Sequence, residues 1–424
     1  MEQLTEPIYL KEQAVRLAEL CTEDVVYLNA LGFQLSPVGE NAKESTTWRI
    51  NPCEFVGHFQ LPSGRITVIE PKIDAANVFR MLAYVFTEGH QEYLRPEQVR
   101  YASDSLLFEP LVCLFNDLVS RRVRRGLAQD YVPREENSAS FRGALNINPH
   151  IQHNLGRDNR IWCRFFEQTV DIDDNRLIKS ALHHLLRFGG WTTPTTHDLI
   201  ANFHKFDSVG FERAARHDAW AHRHYHRLND DYRPIHALGR MFLAGTSISE
   251  KVGAHEFNGF LLNMNTLFEE FVQQSFISVV RSTTVSAAIQ KPEPLSMNTV
   301  APMVKPDVTI RERGAVISIV DAKYKRDAAG PRNPDIYQVV TYGTVLKCPR
   351  TYLIYPHTEL DTEHDFRILN SPIIVHTRRM NISIPNCVRA AETIARDIVT
   401  ESQRREESTL MLEAVNQKEL ASTL

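Results

Sequence analysis

The stretch that most restricts the fold is VKPDVTIRERGAVISIVDAKYKR, residues 304–326. Two apolar, β-branched runs, Val308 to Ile310 and Ala315 to Val320, flank the turn-like Arg311-Glu312-Arg313-Gly314, the pattern of a β-hairpin. Asp307 opens the first strand, and Asp321 and Lys323 close the second, so charge stands where a strand core should be apolar. Because side chains alternate across a strand, Asp321 and Lys323 share one face and Ala322 takes the other. Closing the hairpin folds Asp307 back beside them. Two carboxylates and an ammonium then converge at one sheet edge, a cluster too costly to bury unless it is paired or holds a cation.

That constellation suits metal-assisted phosphodiester hydrolysis. Two hard carboxylate oxygens bind Mg²⁺, which keeps several waters and can coordinate a substrate phosphate. A lysine beside them can orient the attacking water and stabilise charge developing on the phosphate. The competing reading is a surface salt bridge at a strand end, which uses the same residue types.

Pro306-Asp307 followed by Asp321-Ala322-Lys323 resembles the PD-(D/E)xK nuclease signature, and its flanks are similar to those of the McrC family, the nuclease subunits of McrBC-type restriction systems. The resemblance continues along the chain. VGHFQLPSGRITVIEPKI resembles the family's N-terminal region, where a glycine-bearing strand leads through a hairpin to an Ile/Pro/Lys turn, here Glu70-Pro71-Lys72-Ile73. Gly126-Leu127, Tyr131 and Phe141-Arg142-Gly143 resemble a glycine-terminated helix that leads into an extended arm. Asp173, Asp174 and the stripe Leu177, Ile178, Ala181, Leu182, Leu185 and Leu186 resemble the family's regular middle helix. Capping and packing explain those residues adequately, and structural roles are assigned to them.

The strongly periodic segment LLNMNTLFEEFVQQSFISVV predicts a helix from Leu261. Glu269 falls with Val272 and Phe276 at the edge of its apolar face, whereas Glu270 falls with Gln273 and Gln274. PD-(D/E)xK nucleases place an acidic residue on their first core helix, so the resemblance implies that Glu269 supports the metal site. Pro334-Asp335-Ile336-Tyr337-Gln338 opens a second helix reaching about Leu346, and Thr351 to Tyr355 reads as a buried strand. The family's Tyr-Gln pair on that helix matches Tyr337-Gln338, which implies that Gln338 faces the active site. The implied catalytic set is Asp307, Asp321, Lys323, Glu269 and Gln338, with Mg²⁺ (or Mn²⁺) on Asp307, Asp321, the Ala322 carbonyl and Glu269.

The remaining chain bounds the organisation. At 424 residues it is long enough for several domains. The expected fold class is multidomain α/β: a small β-rich N-terminal partner-docking domain over 1–100, a helix-rich middle region over 101–255, and a PD-(D/E)xK endonuclease domain with a helical tail over 256–424. Apolar spacing from Ala14 to Leu31 predicts a further helix, interrupted near Glu23-Asp24. The middle region also holds His222, His224 and His226, without the HExxH or Cys spacing of a zinc site. Cys21, Cys53, Cys113, Cys163, Cys348 and Cys387 are scattered without a CxxC pair, and no secretory signal or bilayer-spanning run is visible, so a cytoplasmic protein with reduced thiols is expected.

A formal net charge of -4 excludes a protein that coats nucleic acid unaided. The densest basic patch, Arg121 to Arg125, reads either as a phosphate or acidic-partner contact or as the solvated last turn of a helix. No GxxxxGK[ST] loop is present, so the chain binds no nucleotide of its own by that motif. The resemblance implies a partner instead, the McrB-like AAA+ GTPase hexamer, which carries GTP (or ATP) and whose hydrolysis the docked subunit stimulates. It also implies duplex DNA as substrate and pairing of two nuclease domains. Two other readings stand beside this one: a catalytically silent adaptor of the motor, and a nuclease acting on RNA or branched DNA.

Overall fold

The computed structural model describes residues 6–38, 47–90, 108–157, 159–212, 225–227, 229–247, 259–281, 283–296, 302–325, 332–357 and 363–421, with side chains of the last helix described to residue 404. The chain is mixed α/β. It divides into two compact units, Met1–Pro110 with Gly259–Leu424, and Leu111–Asn258.

The first unit is discontinuous in sequence because one sheet draws strands from both ends of the chain. Its order is Ile8–Lys11, Ile66–Glu70, Phe55–Gln60 and Gly259–Asn263. The predicted hairpin around Pro62-Ser63-Gly64 is present, with Phe55–Gln60 antiparallel to Ile66–Glu70 and Leu61 N–H on Arg65 O at 2.8 Å. Ile8–Lys11 joins parallel to Ile66–Glu70, which sets Glu12 and Lys72 at the same end of the sheet.

Two helix boundaries differ from expectation. Only Thr22–Ala30 of the segment 14–31 is helical, because Arg16–Glu19 pairs antiparallel with Thr47–Asn51. Leu261 to Asn263 is strand, and the helix starts at Met264 with the Asn263 side chain accepting from the Asn265 and Thr266 N–H groups. In both places cross-strand pairing outweighs local apolar spacing.

The C-terminal part of this unit is a six-stranded sheet, in the order Ser286–Ile289, Val308–Glu312, Ala315–Ala322, Arg350–Pro356, Ile374–Met380 and Asp365–Arg367. The hairpin Val308–Glu312/Ala315–Ala322 turns through Arg313 and Gly314, both at positive φ (49° and 89°), as a two-residue turn requires. Arg350–Pro356 and Ile374–Met380 then add in parallel. Helix Asn333–Val345 covers the face carrying Ile319, Leu353, Tyr355 and Val375, with Val339 and Tyr342 in that core. Helices Met264–Val280, Ala75–Phe86 and Cys387–Ala421 pack together, and the first and last also meet strand Ala315–Ala322.

The second unit combines helices Asp173–Phe188, Thr193–His204 and Tyr232–Ser247 with the long antiparallel pair Asp130–Ser138/Ile161–Thr169, the predicted extended arm. Of the stripe, Leu177, Ile178, Ala181, Leu182 and Leu185 are buried as expected, and Leu186 is half-buried. Neither aspartate caps that helix: Ile172 is the N-cap, and Asp174 is buried with its carboxylate 3.6 Å from His236 Nε2. Arg122 and Arg125 of the basic cluster pair with Asp231, so part of that patch is tied down within the fold. His222 and His224 lie outside the described residues. All six cysteines are free of disulfides. Among the described residues no helix is long and apolar enough to cross a membrane.

Gly57 marks the closest approach in the N-terminal sheet. Its φ is +138°, and a Cβ there would sit 2.1 Å from Phe260 O, on the strand that leads into helix Met264–Val280. Gly57→Ala is expected to destabilise the protein by about 2 kcal/mol through strain and lost pairing. Denaturant unfolding of the full chain measures this, and an unchanged midpoint would show that the pairing is slack.

Candidate active site

Asp307, Asp321 and Lys323 meet where the hairpin ends. Asp307 directly precedes its strand, Asp321 lies near the end of the partner strand, and Val308 is registered against Val320, so both carboxylates reach the same sheet edge. Asp307 is 7% and Asp321 1% exposed. Asp307 Oδ2 accepts the Ala322 N–H at 2.8 Å. Lys323 Nζ lies 2.7 Å from Asp321 Oδ2, and the Lys323 N–H donates to Ile354 O at 2.8 Å, which carries the sheet bonding beyond Ala322.

Burial in this corner disfavours charge on both carboxylates. Desolvation raises Asp307 above the usual aspartate range; the Ala322 N–H opposes it, and the neighbouring Glu269 charge adds to it. Asp321 is raised first by burial and then by the Asp307 carboxylate, with Lys323 pulling the other way. Burial also lowers the affinity of Lys323 for its proton, yet the two aspartates outweigh that and keep it a cation.

Glu269 is half-buried on helix Met264–Val280, and Glu270 is exposed. Burial raises Glu269, and the charges of Lys323 and Asp321 act on it next, which places its carboxyl within electrostatic reach of the pair. Gln273 and Gln274, expected on the polar side, are only 6% and 7% exposed, because helices Ala75–Phe86 and Cys387–Ala421 enclose that side too.

Gln338 is brought in through a neighbour that the sequence did not single out. Its Nε2 donates to Tyr342 Oη at 2.6 Å, and Tyr342 donates to Lys305 O at 3.4 Å, one residue before Pro306-Asp307. Asp321 and Lys323 both act on the Tyr342 hydroxyl, whose pKa burial raises. The spacing of Gln338 and Tyr342, four residues on one helix face, was the available signal. Tyr337 is 66% exposed. A second missed group is Asp335, 3% exposed, which accepts from Lys325 Nζ at 2.8 Å and Tyr355 Oη at 3.1 Å.

Among the described residues no group of three or more His, Cys, Asp or Glu side chains is arranged to hold a metal ion. The corner therefore offers two convergent carboxylates with a third acid nearby. Such a donor set fits Mg²⁺ or Mn²⁺, hard cations that accept one or two carboxylates and fill the remaining positions with water and phosphate oxygen.

The raised carboxyls give a pH dependence with a definite sign. The unfolded chain releases these protons near 3.8 while the folded corner holds them up to about 7, so the folded state binds more protons between those values. Stability of the metal-free chain falls as pH rises through that window, by about 1.4 kcal/mol for each pH unit over which one extra proton is held. Thermal melts across it should show the decline in the wild type and a flatter profile in Asp321→Asn. An equally steep decline in that variant would place its origin elsewhere.

A family model for the McrBC 5-methylcytosine restriction system component matches residues 50–356, more than two thirds of the chain. No curated protein sequence matches. In a refined half-complex from a tetradecameric assembly of Thermococcus gammatolerans McrB AAA+ hexamers with bound McrC, one chain is covered over 100% of its length by 93% of this one, at 17% identity and TM-score 0.55. A second structure, of the Thermococcus gammatolerans McrBC complex, is matched over 65% of this chain and 88% of that one at 17% identity, with TM-score 0.43. At that identity the first likeness is one of fold. The family match spans both strands of the hairpin and the two helices beside it, and the chain belongs to the family of McrBC 5-methylcytosine restriction system components.

Proposed function

We propose that this chain is the McrC-type nuclease subunit of its restriction system, a PD-(D/E)xK enzyme that hydrolyses phosphodiester bonds in duplex DNA with Mg²⁺. The observation that carries this reading is the burial of Asp307 and Asp321 side by side with Lys323 on the strand end, a costly arrangement that a structural salt bridge does not require. The run helix Met264–Val280, hairpin, helix Asn333–Val345 and strand Arg350–Pro356 matches the order expected of that nuclease core.

In this reading Asp307, Asp321 and the Ala322 carbonyl hold Mg²⁺, with Glu269 beside them. Bound there, Mg²⁺ supplies Lewis-acid polarisation of a phosphate oxygen. Lys323, kept protonated by its aspartates, donates to the attacking water or to the phosphate and stabilises the charge that develops. Gln338, held by Tyr342, offers its amide at the edge of the same corner. Asp307 is itself oriented by the Ala322 N–H, so the main chain of the Asp-Ala-Lys strand aligns both carboxylates.

Asp321→Ala and Lys323→Ala should each lower cleavage at least about 10²-fold while leaving the fold intact. Plasmid cleavage with Mg²⁺, by full-length protein free of contaminating nuclease and assembled with a McrB-type AAA+ partner and its nucleotide, measures this. Full activity of Lys323→Ala would overturn the catalytic assignment, absence of Mg²⁺ or Mn²⁺ binding in the assembled complex would favour the silent adaptor, and cleavage of matched RNA alone would change the substrate.

The likeness to a chain from a McrB–McrC assembly supports a partner of the same kind, an AAA+ hexamer that supplies the nucleotide and most of the hold on DNA. A net charge of -4 fits that division, since tethering raises the local concentration of a weak binder. In this reading the N-terminal half, including the segment from Arg65 to Ile73, contacts the ring, but two cationic side chains of that segment are already engaged within the fold. Arg65 is 8% exposed and donates to Glu6 O and Glu19 O, and the Lys72 ammonium is taken by Gln13. The chain alone should cut poorly, and cleavage should rise on adding a McrB-type AAA+ partner together with GTP or ATP. Efficient cleavage by the isolated chain with Mg²⁺ would refute the dependence.

A further inference from the structure

The N-terminal sheet touches the proposed active site through a buried carboxylate. Glu12 is 0% exposed and follows strand Ile8–Lys11. Its N–H donates to Glu70 O at 2.9 Å, and its Oε2 accepts the Lys72 N–H at 3.0 Å and the Tyr324 hydroxyl at 3.3 Å. Tyr324 stands next to Lys323 in the chain and is 5% exposed. Its ring centroid lies 5.8 Å from that of Phe268, the neighbour of Glu269.

Alternation along the strand gives this contact its consequence. Asp321 and Lys323 project on one side, and Ala322 and Tyr324 on the other. Past Tyr324 the chain leaves the sheet, with Lys325 N–H folded onto Lys323 O at 2.9 Å. Lys323 is thus held from in front by Asp321 and from behind by the anchoring of Tyr324. The same sheet also sets Glu269, since its edge strand Gly259–Asn263 runs directly into helix Met264–Val280. Both halves of the corner are referred to one sheet.

We propose that Glu12 and Tyr324 are positioning residues of the nuclease site, and that the N-terminal sheet completes that site by fixing where Lys323 and Glu269 stand. This rests on the nuclease reading for its effect on cleavage, but not for its effect on the strand end. Glu12 and Tyr324 touch neither substrate nor the reacting atoms. They act through Lys323, so their removal lowers the rate of the chemical step and leaves DNA and metal binding alone.

The test uses the full-length chain with three variants, Tyr324→Phe, Glu12→Ala and Glu12→Gln. Plasmid cleavage with Mn²⁺ in the presence of a McrB-type AAA+ partner and GTP or ATP gives kcat and KM; on the chain itself, calorimetric titration gives the Mn²⁺ Kd, and amide hydrogen exchange follows the peptide spanning residues 318–325. Tyr324→Phe and Glu12→Ala should each lower kcat about tenfold with KM and Mn²⁺ Kd within about twofold of wild type. Both should speed exchange at the strand end by about tenfold. Glu12→Gln keeps an oxygen acceptor for Tyr324 and should recover most of the rate. Wild-type kcat in Tyr324→Phe, or a loss confined to KM, would overturn the proposal. Unchanged exchange in both Tyr324→Phe and Glu12→Ala would overturn it whether or not the chain cuts DNA. If the wild type and Lys323→Ala cut alike while exchange still responds to Tyr324→Phe, the nuclease reading fails and the anchoring stands.

Discussion

The arrangement on which the first unit turns is the hydrogen bond from Ala322 N–H to Asp307 Oδ2, made inside a corner where Asp307 and Asp321 are both buried. A carboxylate removed from water needs donors or a counter-charge, and here one main-chain N–H and one ammonium serve two acids. The deficit is visible in the raised pKa of both aspartates. A fold selected for stability alone would fill such a corner with apolar side chains, which often does as well or better than an ion pair. Keeping two acids there fits the proposed reading, in which the corner would receive positive charge from outside the chain.

What surrounds the corner follows from the need to hold it still. The face of the sheet carrying Asp321 and Lys323 is closed by helix Asn333–Val345, whose Val339 and Tyr342 pack against Ile319 and Leu353. The other face is closed by helices Met264–Val280 and Cys387–Ala421. Rigid elements place side chains more accurately than loops do, and here each candidate group sits on, or one residue beyond, a strand or helix.

The sequence made the hairpin legible because its signals are local: a two-residue turn, β-branched runs and charges at fixed strand parity. Glu269 was legible because helical period alone puts it at the edge of an apolar face. What the sequence hid depends on distant partners. Arg16–Glu19 and Leu261 to Asn263 carry helix-compatible spacing, and only their pairing with Thr47–Asn51 and Phe55–Gln60 makes them strands. Gln273 and Gln274 look solvent-facing until two further helices cover them. Glu12 gave no signal at all, since its partner Tyr324 is 312 positions away. Tyr342 carried a signal in its spacing from Gln338, but its link to Lys305 O is again long-range.

Charge also bears on the proposal that this corner works within an assembly. Two aspartates and Glu269 would face an incoming phosphate with like charge, and two of the three ammonium groups that flank them are engaged. Lys323 is paired with Asp321 and Lys325 with Asp335, while Lys305, just before Pro306-Asp307, is exposed to solvent. A divalent ion reverses the local sign at the scissile bond but does little beyond a Debye length, about 8 Å at physiological salt. Long-range attraction to DNA therefore has to come from another surface. In the proposed reading, the source for a chain with net charge -4 would be a partner already bound to DNA, which would deliver the phosphate to the corner and leave these residues to be arranged for chemistry alone.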